Sequence, residues 1–212
     1  MIKKSIFIFL IVLISMQLVS SHQPRLVYDK ASVYEQINNP EISQAFYGEL
    51  KGQSDYYFIN SEKDFDLYLN ILAPDINGAR IDFSVKIFSS IENFTLSNQQ
   101  EWERFYEEFG GDSYLMGPEF EKNVTRGIYL IEVSNPDNLG RYSLAVGKIE
   151  SFPLNEALKS IYSIFRLKHD FFNKSYFAFF EGLIGKAIGI MFLVLIAIAV
   201  GIVFLVKRFR KK

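Results

Sequence analysis

Ala187 to Val206 reads AIGIMFLVLIAIAVGIVFLV, twenty consecutive residues without a charge or a strongly polar side chain. Nothing else constrains the chain as much. At about 1.5 Å per residue, a helix of this length matches the roughly 30 Å hydrocarbon core of a bilayer. Lys186 precedes the run, and Lys207, Arg208, Arg210, Lys211 and Lys212 follow it. A basic cluster of that kind is retained on the cytoplasmic side. The expectation is a transmembrane helix over 182–206, a basic cytoplasmic tail over 207–212, and everything upstream outside. The lipid bilayer is then the first partner.

The N-terminus agrees with export. Residues 1–21 contain Lys3 and Lys4, an apolar run from Ile6 to Val19 broken by Ser15 and Gln17, and small residues before His22, the layout of a cleavable signal peptide. An uncleaved first helix is the alternative. It would leave residues 22–181 on the same side, because Lys3 and Lys4 hold the terminus in the cytoplasm.

Those residues carry all 24 acidic and fifteen of the 23 basic side chains, a formal charge of minus nine that the whole-chain value of minus one conceals. Neither nucleic acid nor anionic headgroups are expected partners of this acidic exterior, because both need clustered Lys and Arg. There is no cysteine, which excludes disulfides, thiol catalysis and cysteine metal sites, so the fold must stand on its core.

Residues 22–44 read as an irregular leader or edge segment. From 45 to 149, runs rich in Tyr, Phe, Ile, Val and Leu alternate with turn residues, the signature of an all-β sandwich. In Ile81–Phe88 the apolar Ile81, Phe83, Val85 and Ile87 alternate with polar residues, and in Phe65–Ala73 Phe65, Leu67, Leu69 and Ile71 do so. That period of two belongs to strands with one buried face. Further strands are expected at Ala45–Leu50, Asp55–Asn60, Glu92–Ser97, Tyr114–Glu121, Gly127–Ser134 and Arg141–Lys148, making about eight strands in a jelly-roll-like double sheet.

Tyr57-Phe58, Asp66-Leu67-Tyr68-Leu69, Gly127 to Val133 and Gly140 to Val146 resemble successive strands of bacterial pre-peptidase C-terminal domains. The resemblance covers about half of residues 45–149. It implies a small jelly-roll sandwich with a role in binding or secretion and no catalysis of its own. The chain departs from that pattern in a long insertion between Pro74 and Arg126.

Within the insertion, Asn98 to Gly111 reads as a short amphipathic helix, because Trp102, Phe105, Tyr106 and Phe109 recur at helical spacing. Such a helix either plugs an open end of the sandwich or, with Tyr114, presents an aromatic ligand surface for a protein or glycan. A calcium site from Glu107, Glu108 and Asp112 lacks the ordered ligand alternation of dedicated loops. Residues 150–181 follow as a juxtamembrane segment. Phe152 to Lys168 has helical periodicity, with a stripe of Leu154, Leu158, Ile161 and Phe165 that must be covered by the sandwich or by a second copy. Phe171, Phe172, Tyr176, Phe177, Phe179 and Phe180 then read as an interfacial aromatic belt.

The chain has two histidines, His22 and His169, and no nucleophile elbow, phosphate loop or dinucleotide fingerprint. Neither catalysis nor a cofactor is expected. A histidine at the mature N-terminus chelates copper in principle, but no second histidine lies nearby. Asn93, Asn123 and Asn173 open Asn-x-Ser/Thr sequons and are candidate glycosylation sites. Gly185, Gly189, Ala197 and Gly201 fall at four-residue spacing, interrupted by Leu193, a stripe that suits close packing against another membrane protein or a second copy. Two classes of function are open: a membrane-anchored extracytoplasmic binding module, or an accessory subunit that associates through its transmembrane helix.

Overall fold

The structure is a computed structural model and describes residues 22–96, 101–151 and 153–210. The signal-peptide assignment, part of the 98–111 stretch and the last two tail residues lie outside them.

Eleven strands among the described residues form two sheets, ordered β1-β3-β11-β5-β9-β8 and β2-β4-β10-β6-β7. The strands are β1 (Gln23–Leu26), β2 (Tyr34–Gln36), β3 (Gln44–Lys51), β4 (Asp55–Ser61), β5 (Phe65–Pro74), β6 (Ser84–Ser89), β7 (Asn93–Leu96), β8 (Glu103–Glu107), β9 (Asp112–Val124), β10 (Gly127–Ser134) and β11 (Leu139–Val146). The period of two in the sequence is satisfied between the sheets, where Tyr57, Ile59, Leu67, Leu69, Ile71, Phe83, Val85, Ile87, Ile131 and Leu144 lose all contact with solvent. The Tyr57 and Tyr142 hydroxyls meet at 2.8 Å, and Tyr142 donates to the Asp55 carboxylate at 2.7 Å, so the polar ends of this core are paired.

All eight expected strands are present, with boundaries moved by a few residues. The largest shift is in β6, which starts at Ser84 and leaves Ile81 outside the core at 45 % exposure. Arg80 binds Asp82 at 2.5 Å and Asp137 at 2.8 Å, which holds this lead-in as a loop. Three strands were not expected. Residues 22–44, read as irregular, supply β1 and β2, which pair in parallel with β3 and β4 and bury Val27, Val33 and Ile37. These strands are too short for periodicity to show.

The expected helix over 98–111 is instead β8 and a tight turn. The long strand β9 offers an open ladder beside it, so Glu103–Glu107 pair with Asp112–Met116. The Glu107 carboxylate closes the turn by accepting from the Phe109 and Gly110 amides at 2.8 and 2.7 Å, and Gly111 adopts φ 79°. Hydrogen bonding to β9 overrides the helical spacing of the aromatics.

After the sandwich come helix α1 (Leu154–Asp170), a 3₁₀ segment (Tyr176–Glu181) and helix α2 (Leu183–Arg210). Helix α2 is long and apolar enough to cross a membrane, with a mean hydropathy of 3.2 over its apolar window. The buried side of α1 is Ser160, Ser163, Ile164, Leu167 and Lys168. Most of the stripe expected to be covered turns the other way, with Leu154, Leu158 and Phe165 at 77 %, 61 % and 40 % exposure, while Ile161 is half-buried beside Ile164 and Ile184.

Candidate functional site

The sequence singles out the aromatics around β8, and the structure places that hairpin where sandwich, α1 and α2 meet. At its tip, the Leu183 amide donates to the Glu108 carbonyl at 3.0 Å and the Ile184 amide to the Phe109 carbonyl at 3.3 Å. The first amides of a helix have no partner within the helix. Here backbone from the sandwich supplies them, so α2 begins as a continuation of the domain, with no free stalk. The approach requires glycine, because a Cβ on Gly182 would lie 2.1 Å from the Gly110 carbonyl oxygen, and one on Gly111 would lie 2.5 Å from the Gly182 nitrogen.

Beneath the tip lies a buried charge cluster. The Lys168 ammonium, fully enclosed, donates to Asp112 at 2.7 Å, to the Gly110 carbonyl at 2.7 Å and to the Gly111 carbonyl at 3.2 Å. Lys174 takes the other Asp112 oxygen at 2.9 Å. Burial pulls the Lys168 ammonium below the ordinary lysine range, although Asp112 opposes the shift. Burial also pushes the Glu107 carboxyl up, against the two amides that favour its charged form. One α1 residue thus ties the helix to the turn that also holds α2. This buried lysine accounts for α1 turning its polar-looking side inward: a fully enclosed ammonium needs acceptors, and in this orientation it reaches Asp112 and the Gly110 and Gly111 carbonyls.

Around the cluster, apolar contacts complete the seam. Phe109, Ile164, Phe179 and Ile184 form one buried group flanked by Ile161 and Ile188. Tyr47, Tyr114, Leu167, Phe171 and Phe172 form a second, on the outer face of the larger sheet. The Tyr47 and Tyr114 hydroxyls pair at 3.0 Å, and burial raises both phenols well above their usual range. The expected aromatic belt therefore divides. Phe171 and Phe172 are interior, because the outer sheet face needs cover, and Phe179 is interior in the seam with Phe109 and Ile184, while Tyr176, Phe177 and Phe180 are 39 %, 82 % and 48 % exposed.

The five aromatics proposed as a ligand surface divide too. Tyr114 and Phe109 point inward. Trp102 is half-buried, 6.5 Å from Phe83 between ring centroids, and stacked so closely on Gly117 that a Cβ there would meet its ring at 2.7 Å. Phe105 and Tyr106, at 42 % and 53 % exposure, remain at the surface on the edge strand β8. Neither the buried lysine nor the seam is visible in sequence, since Asp112 and Lys168 are 56 residues apart. The pair Gly110-Gly111 was the one available signal.

The small residues of α2 also part company. A Cβ on Gly185 would lie 1.9 Å from the Phe179 carbonyl oxygen, so that glycine serves the fold, and Gly189 faces the Phe180 ring. Nothing lies within 4 Å of Gly201, and Ala197 is exposed. The sequon asparagines Asn93, Asn123 and Asn173 are all exposed. The Asn123 amide donates to Asp66 at 2.7 Å, and Asn173, at φ 56°, accepts from Arg141 at 2.8 Å. Among the described residues no group of three or more His, Asp or Glu side chains is placed to hold a metal. The Nδ1 of His22 lies 2.5 Å from the Ser43 hydroxyl.

No family model and no curated relative matches the chain. Several solved structures resemble it, two of which illustrate the likeness. One is the pre-peptidase C-terminal domain of a collagenase from Bacillus anthracis, at 12% identity over 61% of this chain and 97% of that one, with a TM-score of 0.29. The other is CorA, a surface-associated copper-binding protein of Methylomicrobium album BG8, at 9% identity over 56% of this chain and 100% of that one, with a TM-score of 0.30. The first belongs to the family that the strand sequences resemble.

Proposed function

We propose that this chain is a membrane-anchored extracytoplasmic interaction module: a β-sandwich fixed directly above the bilayer by α2, which takes a protein or glycan ligand. The observation that carries the reading is the seam. An apolar helix of 28 residues receives hydrogen bonds to its first two amides from the sandwich, so helix and domain join without a free linker. The ligand surface in this reading is the edge strand β8, where Phe105 and Tyr106 stand on opposite sides of an open sheet edge, a geometry suited to an extended segment. Asn93, Asn123 and Asn173 serve as the glycan acceptors on the exported face.

A second reading, an accessory subunit of a membrane complex, draws on the open lower part of α2 at Ala197 and Gly201, where a neighbouring helix can approach closely. The chain lacks cysteine, so single cysteines test the topology cleanly. Lys63→Cys is expected to react with a membrane-impermeant maleimide in intact cells, and Arg210→Cys only after permeabilisation. The reverse pattern sinks the proposal. Replacing 190–206 by polyleucine then separates the two readings: the module keeps its ligand, the accessory subunit loses its complex.

A further inference from the structure

We infer that α1 is an interfacial helix, lying on the outer leaflet of the bilayer that α2 crosses, with its exposed apolar stripe in the headgroup region. The inference rests on the membrane reading of α2. Helix α1 has the sheet on one side, where Leu167 joins Tyr47 and Tyr114. On the other side is the 3₁₀ segment that leads into α2: the Phe165 ring stacks on Tyr176 at 4.8 Å and 15°. The outward side of α1 is therefore the side from which α2 departs.

The levels agree as well. Ile161 and Ile164 of α1 meet the apolar group that includes Ile184 and Ile188 in the first turns of α2. Lys186 is exposed at that same level, and the uncharged run begins at Ala187. The middle of α1, at Ile161 and Ile164, thus stands at the level where the apolar run begins. On the outward side stand Leu154, Leu158, Tyr162 and Phe165, at 77 %, 61 %, 60 % and 40 % exposure, and Phe177 and Phe180 continue the surface to the root of α2. Apolar and aromatic side chains on one face of a helix, continuous with a span, are what a headgroup boundary accommodates.

The charge distribution fits the same occupant. Residues 22–149 hold eleven basic and twenty acidic side chains, whereas 150–186 hold five basic and four acidic. The net acidity that anionic lipid would repel is carried by the sandwich, while 150–186 is close to neutral. Lys159, beside the stripe, is 65 % exposed and free to reach phosphate as well as Glu156.

The test uses the full-length chain in phosphatidylcholine nanodiscs, with and without phosphatidylglycerol, carrying one nitroxide on Leu158→Cys, Phe177→Cys, Lys63→Cys or Val194→Cys. Collisions with oxygen and with a water-soluble nickel chelate report depth. The labels at 158 and 177 are expected to favour oxygen at a depth of about 5–10 Å, the range for interfacial helices, with 63 in water and 194 deep in hydrocarbon. Water-like readings at 158 and 177 with 194 deep overturn the inference and leave the anchor standing. A water-like reading at 194 removes the anchor and the inference together. A label at 158 shielded from both reagents means that protein, such as a second copy, covers α1, which also overturns it.

Discussion

Replacing Asp112 by Asn tests whether the buried cluster fastens the helices to the sandwich. Lys168 is fully enclosed, and among the described residues Asp112, at 2.7 Å, is the carboxylate it pairs with. With Asn at 112, the ammonium keeps the Gly110 and Gly111 carbonyls but loses its counter-charge. Removing one member of a buried pair is destabilising by about 3–5 kcal/mol. Lys168→Met is the informative contrast: Asp112 then retains Lys174 at 2.9 Å, and the loss reduces to unmet carbonyls, about 1–3 kcal/mol. Lys174→Met, at a side chain 35 % exposed, is expected to change stability by about 1 kcal/mol or less. For a domain of this size about 2–4 °C accompanies each kcal/mol, so Asp112→Asn is expected to lower the midpoint by roughly 6–20 °C. The assay is thermal unfolding of the full chain in nanodiscs, followed by emission of Trp102, the sole tryptophan, which packs against Phe83 and Gly117. The expected order of loss is Asp112→Asn, then Lys168→Met, then Lys174→Met. If Lys168→Met were as damaging as Asp112→Asn, Lys174 would not be sharing the carboxylate and the account of the cluster would be wrong.

Two further outcomes follow from the same structure. Burial raises the Asp55 carboxyl above its ordinary 3.8, against the Val33 amide and the Tyr142 hydroxyl. Its folded form therefore holds the proton more tightly, and its contribution is complete below the unfolded pKa and lost as pH rises through the folded value. Chemical denaturation is expected to show the parent losing stability relative to Asp55→Asn as pH rises from about 4; a difference independent of pH would refute the assignment. In α2, Gly201→Ile is expected to abolish helix–helix crosslinking through an engineered cysteine without altering the midpoint. Gly185→Ala, which places a Cβ against the Phe179 carbonyl, is expected to lower the midpoint instead, and equal midpoints for the two variants would contradict that division.

The core strands were legible because their chemistry is local. In β5 the apolar Phe65, Leu67, Leu69 and Ile71 each sit two from the next, and Leu67, Leu69 and Ile71 are fully buried. The β8 hairpin was not, because Trp102, Phe105, Tyr106 and Phe109 fit a helix equally well, and the deciding partner is the adjoining edge of β9. Helix α1 shows the limit from the other side. Its periodicity correctly reveals an apolar stripe, but spacing says nothing about what covers that stripe. The orientation is set by Lys168, a residue that reads as solvent-facing until Asp112 is brought to it by the sandwich.

The same seam also narrows the kind of ligand the proposed module can take. Phe105 lies four residues from Phe109, which touches the first turn of α2, so at about 3.3 Å per strand residue the exposed pair on β8 stands within roughly 13 Å of the start of the span. Strand β9 climbs the other way from Asp112 to Val124, and Asn123 near its end pairs with Asp66, with Asn93 at the start of β7. Those two sequons are thus carried away from the seam, while Phe105 and Tyr106 stay beside it. In the proposed topology a ligand for β8 would have to reach a surface close to the headgroups, which favours an extended segment of a neighbouring membrane protein over a soluble ligand. Under that proposal the two functional readings would converge on one geometry, in which β8 takes the extracytoplasmic part of a partner whose helix packs near Gly201. A partner identified by crosslinking from Tyr106 is expected to be recovered also by crosslinking from α2 near Gly201. Recovery of different proteins from the two positions would separate the readings again.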